Sequence, residues 1–121
     1  MKANDVVIGW VRKTAEGSTD ELIQLETRSR CEIIEWHRIT ARNDSDSTTL
    51  IEIGLKRNTD EFLLRASAQG AVGRTVHTEA SIPATGDFHP YARFSDPDAG
   101  DILELFGFGH LITPLDIAAP D

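Results

Sequence analysis

The sequence predicts an all-β domain, an antiparallel β-sandwich of jelly-roll type with about eight strands. Three observations carry that expectation. Apolar and polar residues alternate with period two in several separate segments. Turn-forming clusters of Asn, Asp, Gly and Pro recur roughly every 8–14 residues. No stretch has helical apolar spacing long enough for a crossover helix between parallel strands.

In chain order, residues 1–30 form an N-terminal hairpin or docking segment of the same domain. Val6–Lys13 is expected to pair with Leu22–Arg28 across the polar loop Thr14–Glu21. The rival is a short helix, because Ser18 and Glu21 have capping-box spacing ahead of Leu22, Ile23 and Leu25. Residues 31–112 form the sandwich core. Glu35–Arg42 leads into the turn Asn43–Ser47, and the strand Leu50–Lys56 follows with Ile51, Ile53 and Leu55 on one face. Arg57–Asp60 turns the chain into a strand with Phe62, Leu64, Ala66 and Ala68 on its inner side. Val76, Thr78, Ala80 and Ile82 form the inner side of the next strand, which ends in a turn at Pro83–Asp87. Antiparallel sheets with one wet face read this way.

The last strand, Asp101–Leu111, is apolar on both sides. Leu103 and Leu105 lie on one, and Ile102, Phe106 and Phe108 on the other. An inner strand covered on both sides reads like this, and so does one whose outer face meets another subunit. Residues 113–121 read as an extended C-terminal arm, since Pro114 and Pro120 exclude a helix, and Leu115 and Ile117 suit an arm that docks. The residues expected at a protein interface are therefore Phe106, Phe108, Leu111, Leu115 and Ile117.

Twelve Lys and Arg against twenty Asp and Glu leave a formal charge of −8. Such a chain repels phosphate backbones unless its cations cluster, and Arg28, Arg30, Arg38 and Arg42 are interleaved with acids. No direct nucleic-acid partner is expected. Met1–Asp5 lacks a leader's apolar region, and no apolar run approaches the ~20 residues that span a bilayer. Neither a signal peptide nor a membrane partner is expected. The single Cys31 excludes an internal disulfide and is expected in the core.

Catalytic and ligand motifs are weak. His77 and Glu79 share a strand face, but His89 and His110 would have to converge on them from elsewhere, so no metal is assigned. Asp96, Asp98 and Asp101 attract a hard cation in principle but fail the EF-hand pattern, and Pro97 and Gly100 favour a tight turn. There is no Gly-x-Ser-x-Gly elbow. Gly70-Ala71-Val72-Gly73-Arg74-Thr75 lacks the spacing and lysine of a phosphate-binding loop. No cofactor and no enzymatic activity are expected. Trp10 and Trp36 are the candidates for an alternative function, a carbohydrate-binding module with a stacking platform.

His89-Pro90-Tyr91-Ala92-Arg93-Phe94, an acidic turn, and then Ala99-Gly100-Asp101-Ile102-Leu103-Glu104-Leu105-Phe106-Gly107-Phe108-Gly109 together resemble the ending of small β-sandwich structural proteins of tailed bacteriophages. Arg38–Asp44 with the strand Thr48–Lys56 is similar to the middle of such sequences. The resemblance spans Ile33 to His110 and leaves residues 1–30 and the arm uncovered. It implies a virion protein of capsid-decoration or head–tail accessory type, made in the host cytoplasm. Its implied partners are the major capsid protein or other virion proteins, usually in a homo-oligomer. It carries over no catalytic residues.

Overall fold

The computed structural model describes residues 5–45 and 50–114. Among these residues nine strands form, in the order β1 (Val6–Thr14), β2 (Asp20–Gln24), β3 (Glu32–Asn43), β4 (Leu50–Arg57), β5 (Asp60–Ala68), β6 (Val76–His77), β7 (Ile82–Thr85), β8 (His89–Ser95) and β9 (Ile102–Pro114). All pairings are antiparallel. One sheet runs β1-β9-β3-β6, with β7 also on β3, and the other runs β2-β8-β4-β5. With β6 and β7 counted as halves of one interrupted strand, the orders become 1-8-3-6 and 2-7-4-5. Consecutive strands then alternate between sheets except at the β4–β5 hairpin, which is the double Greek key of a jelly roll.

The alternation that predicts this fold is also what fills it. Ile51, Ile53 and Leu55 of β4, Ala92 and Phe94 of β8, and Ile23 of β2 meet Ile34, Trp36, Ile39 and Ala41 of β3 and Leu103, Leu105 and Leu111 of β9. Each fully buried aliphatic side chain contributes about 1.5–3 kcal/mol relative to its exposed state.

The expected N-terminal hairpin does not form, and neither does its helical rival. β1 pairs with β9 and β2 pairs with β8, so the two segments lie in different sheets. The Ser18–Glu21 spacing serves the connecting loop instead. The buried Glu21 carboxylate accepts hydrogen bonds from the Glu16 and Gly17 amides at 2.9–3.0 Å and faces Lys13 Nζ at 3.4 Å. Burial alone would raise its pKa, but those amides and the lysine outweigh burial and hold the carboxyl below its ordinary range.

Two bulges break the expected alternation. In β5 the register slips between Ile53 and Gly54, so Phe62 pairs with Leu55 while Arg65 and Ser67 pair with Ile53 and Ile51. Phe62, Leu64, Ala66 and Ala68 therefore do not share one inner face, and most of β5 is exposed. In β3 the register slips between Trp36 and Arg38. Its buried residues switch from even positions, Ile34 and Trp36, to odd ones, Ile39 and Ala41. Such bulges re-aim side chains.

Other expectations shift locally. The strand expected over 76–82 breaks after His77 and resumes at Ile82, with Ala80 exposed between, and Pro83 belongs to β7 rather than to the following turn. Thr78 is buried and bonded both ways to Ile39, through Oγ1 to its amide and through its own amide to the Ile39 carbonyl. Cys31 is exposed, not in the core, because it sits in the turn that precedes β3, where its amide donates to Ser29 Oγ.

Polar side chains close one end of the sandwich. Gln69 Oε1 accepts from the Asn43 amide and Gln69 Nε2 donates to the Asn43 carbonyl, both at 2.7 Å. Asn43 Nδ2 donates to Asp101 Oδ2 at 2.9 Å. Asp101 also caps the Asp98 amide, so the Asp96–Asp101 segment is the tight turn that Pro97 and Gly100 suggest.

Candidate functional face

β9 lies between β1 and β3, and its period-two pattern sends alternate side chains to opposite sides. Leu103, Leu105 and Leu111 point into the core, with Gly107 leaving room for Leu25 and Trp36 and Gly109 for the close approach of the Glu35 backbone. Phe106 and Phe108 point outward, as does Ile112, and are 37%, 39% and 37% exposed. The register sets them beside residues of β1 that face the same way. Trp10 pairs with Phe106, Ile8 with Phe108, and Val6 with His110. Val6, Ile8 and Trp10 are 60%, 63% and 60% exposed.

On the β3 side, Thr40 pairs with Phe106, Arg38 with Phe108 and Glu35 with His110. The result is an apolar field two strands wide. Arg12 and the Arg42–Glu104 ion pair, at 3.0 Å, close it at one end. Glu35, His37 and His110 lie at the other. An apolar centre with a charged rim is the usual anatomy of a protein interface. The free edge of β1 adds a cleft of about 590 Å³, which runs between Ile8, Trp10 and the Leu25–Arg28 segment that follows β2.

The sequence-predicted interface residues divide. Phe106 and Phe108 lie on this face. Leu111 does not: it is fully buried, because it shares the odd-numbered inner side of β9 with Leu103, Leu105, Gly107 and Gly109, and the register slip at Ile112 comes only after it. The strand continues through Pro114, so the arm begins later than expected, and Leu115 and Ile117 lie outside the described residues. Val6 and Ile8 escaped sequence reasoning, although Val6, Ile8 and Trp10 already alternate with period two.

The two tryptophans also separate. Trp10 is exposed on the apolar face, whereas Trp36 is 4% exposed, its ring packed over Gly107 in the core. Trp36 is therefore no part of a surface platform. Its Nε1–H is buried without a hydrogen-bond partner among the described residues.

The histidines sort in an unforeseen way. β6 ends at His77, so His77 and Glu79 do not share a strand face, and the Glu79 carboxylate pairs with Arg65 at 2.6 Å. His89 Nδ1 bonds the Leu25 carbonyl at 2.6 Å and anchors the segment after β2. His37, the extra residue of the β3 bulge, instead turns onto the outer face beside His110. Their rings stack with centroids 4.6 Å apart, and His37 Nε2 meets His110 Nδ1 in a short hydrogen bond. His37 Nδ1 bonds Ser81 Oγ at 3.1 Å, and His110 Nε2 lies 3.6 Å from Glu35 Oε2. The parity switch along β3 was the sequence signal for this arrangement.

The architecture belongs to the jelly-roll class, and solved structures place phage capsid proteins among those that share it. A chain of the acid-stable capsid of Helicobacter pylori bacteriophage KHP30 superposes with a TM-score of 0.65 at 10% identity, covering 92% of this chain and 90% of that one. A chain of the cyanophage Pam1 capsid asymmetric unit gives 0.58 at 13% identity, covering 92% and 87%. No protein-family model matches the chain, and no curated protein matches it significantly in sequence. Among the described residues, no helix is long and apolar enough to cross a membrane.

Proposed function

We propose that this protein is a non-enzymatic structural subunit of a phage-like virion, attached to the capsid or head–tail assembly by the outer face of β1 and β9. The observation that carries the reading is the contiguous exposed field of Val6, Ile8, Trp10, Phe106, Phe108 and Ile112 on an otherwise acidic domain. Monomeric proteins rarely leave so many large apolar side chains together in water. The fold shared with the two phage capsid chains supports the same reading. The occupant is a neighbouring virion protein, held by shape and apolar contact, and the net charge of −8 suits the outside of a DNA-filled shell.

Mass spectrometry of density-gradient-purified particles from the source tests this directly. The chain should co-sediment at a fixed copy number relative to the major capsid protein. Hundreds of copies mark a shell decoration, and about a dozen mark a neck or tail position. Absence from the particles overturns the reading.

A further inference from the structure

We propose that Glu35, His37 and His110 form a binding site for a divalent ion of the zinc class. Each of the three supplies a ligand atom, and these atoms all lie within 4.8 Å of one another. Two imidazoles and a carboxylate are the donor set of open zinc sites, whereas calcium and magnesium take oxygen ligands. The inference does not depend on the virion reading.

Three further observations point the same way. First, the site is built by an irregularity. A regular β3 would continue from Trp36 to Arg38 opposite Gly109 and Phe108, and the inserted His37 serves no ladder pair. Bulges of this kind recur next to functional sites. Second, the histidines face each other nitrogen to nitrogen. One proton at most fits between His37 Nε2 and His110 Nδ1, so the pair presents a lone pair that a metal takes readily. Third, His37 is already oriented from behind. With its Nε2 on an ion, His37 takes the Nδ1–H tautomer and donates to Ser81 Oγ, the kind of outer contact that fixes a ligating imidazole.

Bound there, the ion ties β3 to β9 at the rim of the apolar field. The His110 and Glu35 side chains keep 26% and 33% exposure, which leaves the ion an entry path and room for water or a partner's ligand.

The test uses the full chain, stripped with chelator and titrated with Zn(II) by calorimetry and with Co(II) by visible absorption. One ion should bind per chain, with the intense visible bands of low-coordinate Co(II) and a raised melting temperature. His37→Ala and His110→Ala should each weaken binding by at least about tenfold, while His77→Ala leaves it unchanged. Glu35→Gln keeps the side chain's shape, so it reads the site even if a histidine variant folds poorly, and it too should weaken binding. Saturable binding absent from the wild type, or unchanged in His37→Ala and Glu35→Gln, overturns the proposal.

Discussion

Leu25 caps Gly107. A β-carbon built on Gly107 would stand 2.7 Å from Leu25 Cδ1 and 2.9 Å from Trp36 Cζ3. Its ladder partner Gly9 lies under the same leucine at 2.8 Å. Leu25 follows β2 and belongs to the opposite sheet's side, so this contact closes the sandwich beneath the β1 edge. Because the indole is rigid and Leu25 is itself buried, neither neighbour has space to retreat. Gly107→Ala should destabilise the fold by about 1–3 kcal/mol, read as a lower urea midpoint at unchanged slope. Gly9→Ala, which meets only the flexible end of Leu25, should cost less. Equal stability of Gly107→Ala and wild type would show that the packing is looser than this.

Glu21 couples the β1–β2 loop to pH. Its folded-state pKa lies below the ordinary carboxylate value of 4.5, so the unfolded chain takes up its proton first as pH falls. The carboxylate's contribution is therefore complete above that ordinary value and is lost as pH drops through the lower folded-state value. Glu21→Gln should lower stability at neutral pH by about 1–3 kcal/mol. It should also flatten the loss of stability below about pH 4.5, measured by urea unfolding across that range. A parallel pH dependence in both proteins would remove Glu21 from the account.

The Gln69 side chain satisfies both the backbone amide and the carbonyl of Asn43 where water cannot reach. Truncating Gln69 to Ala removes the acceptor of the Asn43 amide and leaves the Asn43 carbonyl the long contact with the Gly73 amide at 3.4 Å, at a cost of about 1–3 kcal/mol. Thermal unfolding should therefore show a larger loss for Gln69→Ala than for Ala71→Ser at a nearby exposed position. If the loss is no larger, solvent reaches this end of the sandwich.

The outer face and the core of β9 should respond oppositely. Ile8→Ser and Phe108→Ser change exposed side chains and should shift stability by less than about 0.5 kcal/mol, yet reduce incorporation into particles. Leu111→Ala removes a fully buried side chain and should cost about 2–5 kcal/mol. Retention of both serine variants at the wild-type copy number would move the attachment surface elsewhere.

These contrasts show what was legible beforehand. Ile51, Ile53 and Leu55 alternate without interruption in both sequence and structure, and β9 does the same from Ile102 through Ile112, so that parity alone puts Leu111 with Leu103 and Leu105. The two-sheet all-β architecture follows from such segments. Pairing was less accessible, because nothing local to Val6–Thr14 distinguishes β9, some ninety residues away, from the nearer Leu22–Arg28. Bulges were the other obstacle. One extra residue reverses the facing of all that follows, which divided β5 between two faces and set His37 against His110.

The bulge itself yields the sharpest prediction. Without His37, the sequence around it reads Trp36-Arg38-Ile39-Thr40-Ala41, an unbroken alternation with Trp36, Ile39 and Ala41 inward. Trp36 and Arg38 already pair with the consecutive residues Gly109 and Phe108, so deletion lets the ladder with β9 close without a gap. On the other side of β3, the exposed Glu79–Ser81 link between β6 and β7 has the slack to absorb the change. A chain lacking His37 should therefore fold cooperatively, with amide exchange across β3 and β9 at least as slow as in the wild type. Most single-residue deletions from a central strand would invert one half of it and unfold the protein. If deletion of His37 does that too, the bulge is needed for folding, and the pairing of β3 with β6 and β7 demands a longer strand than β9 does.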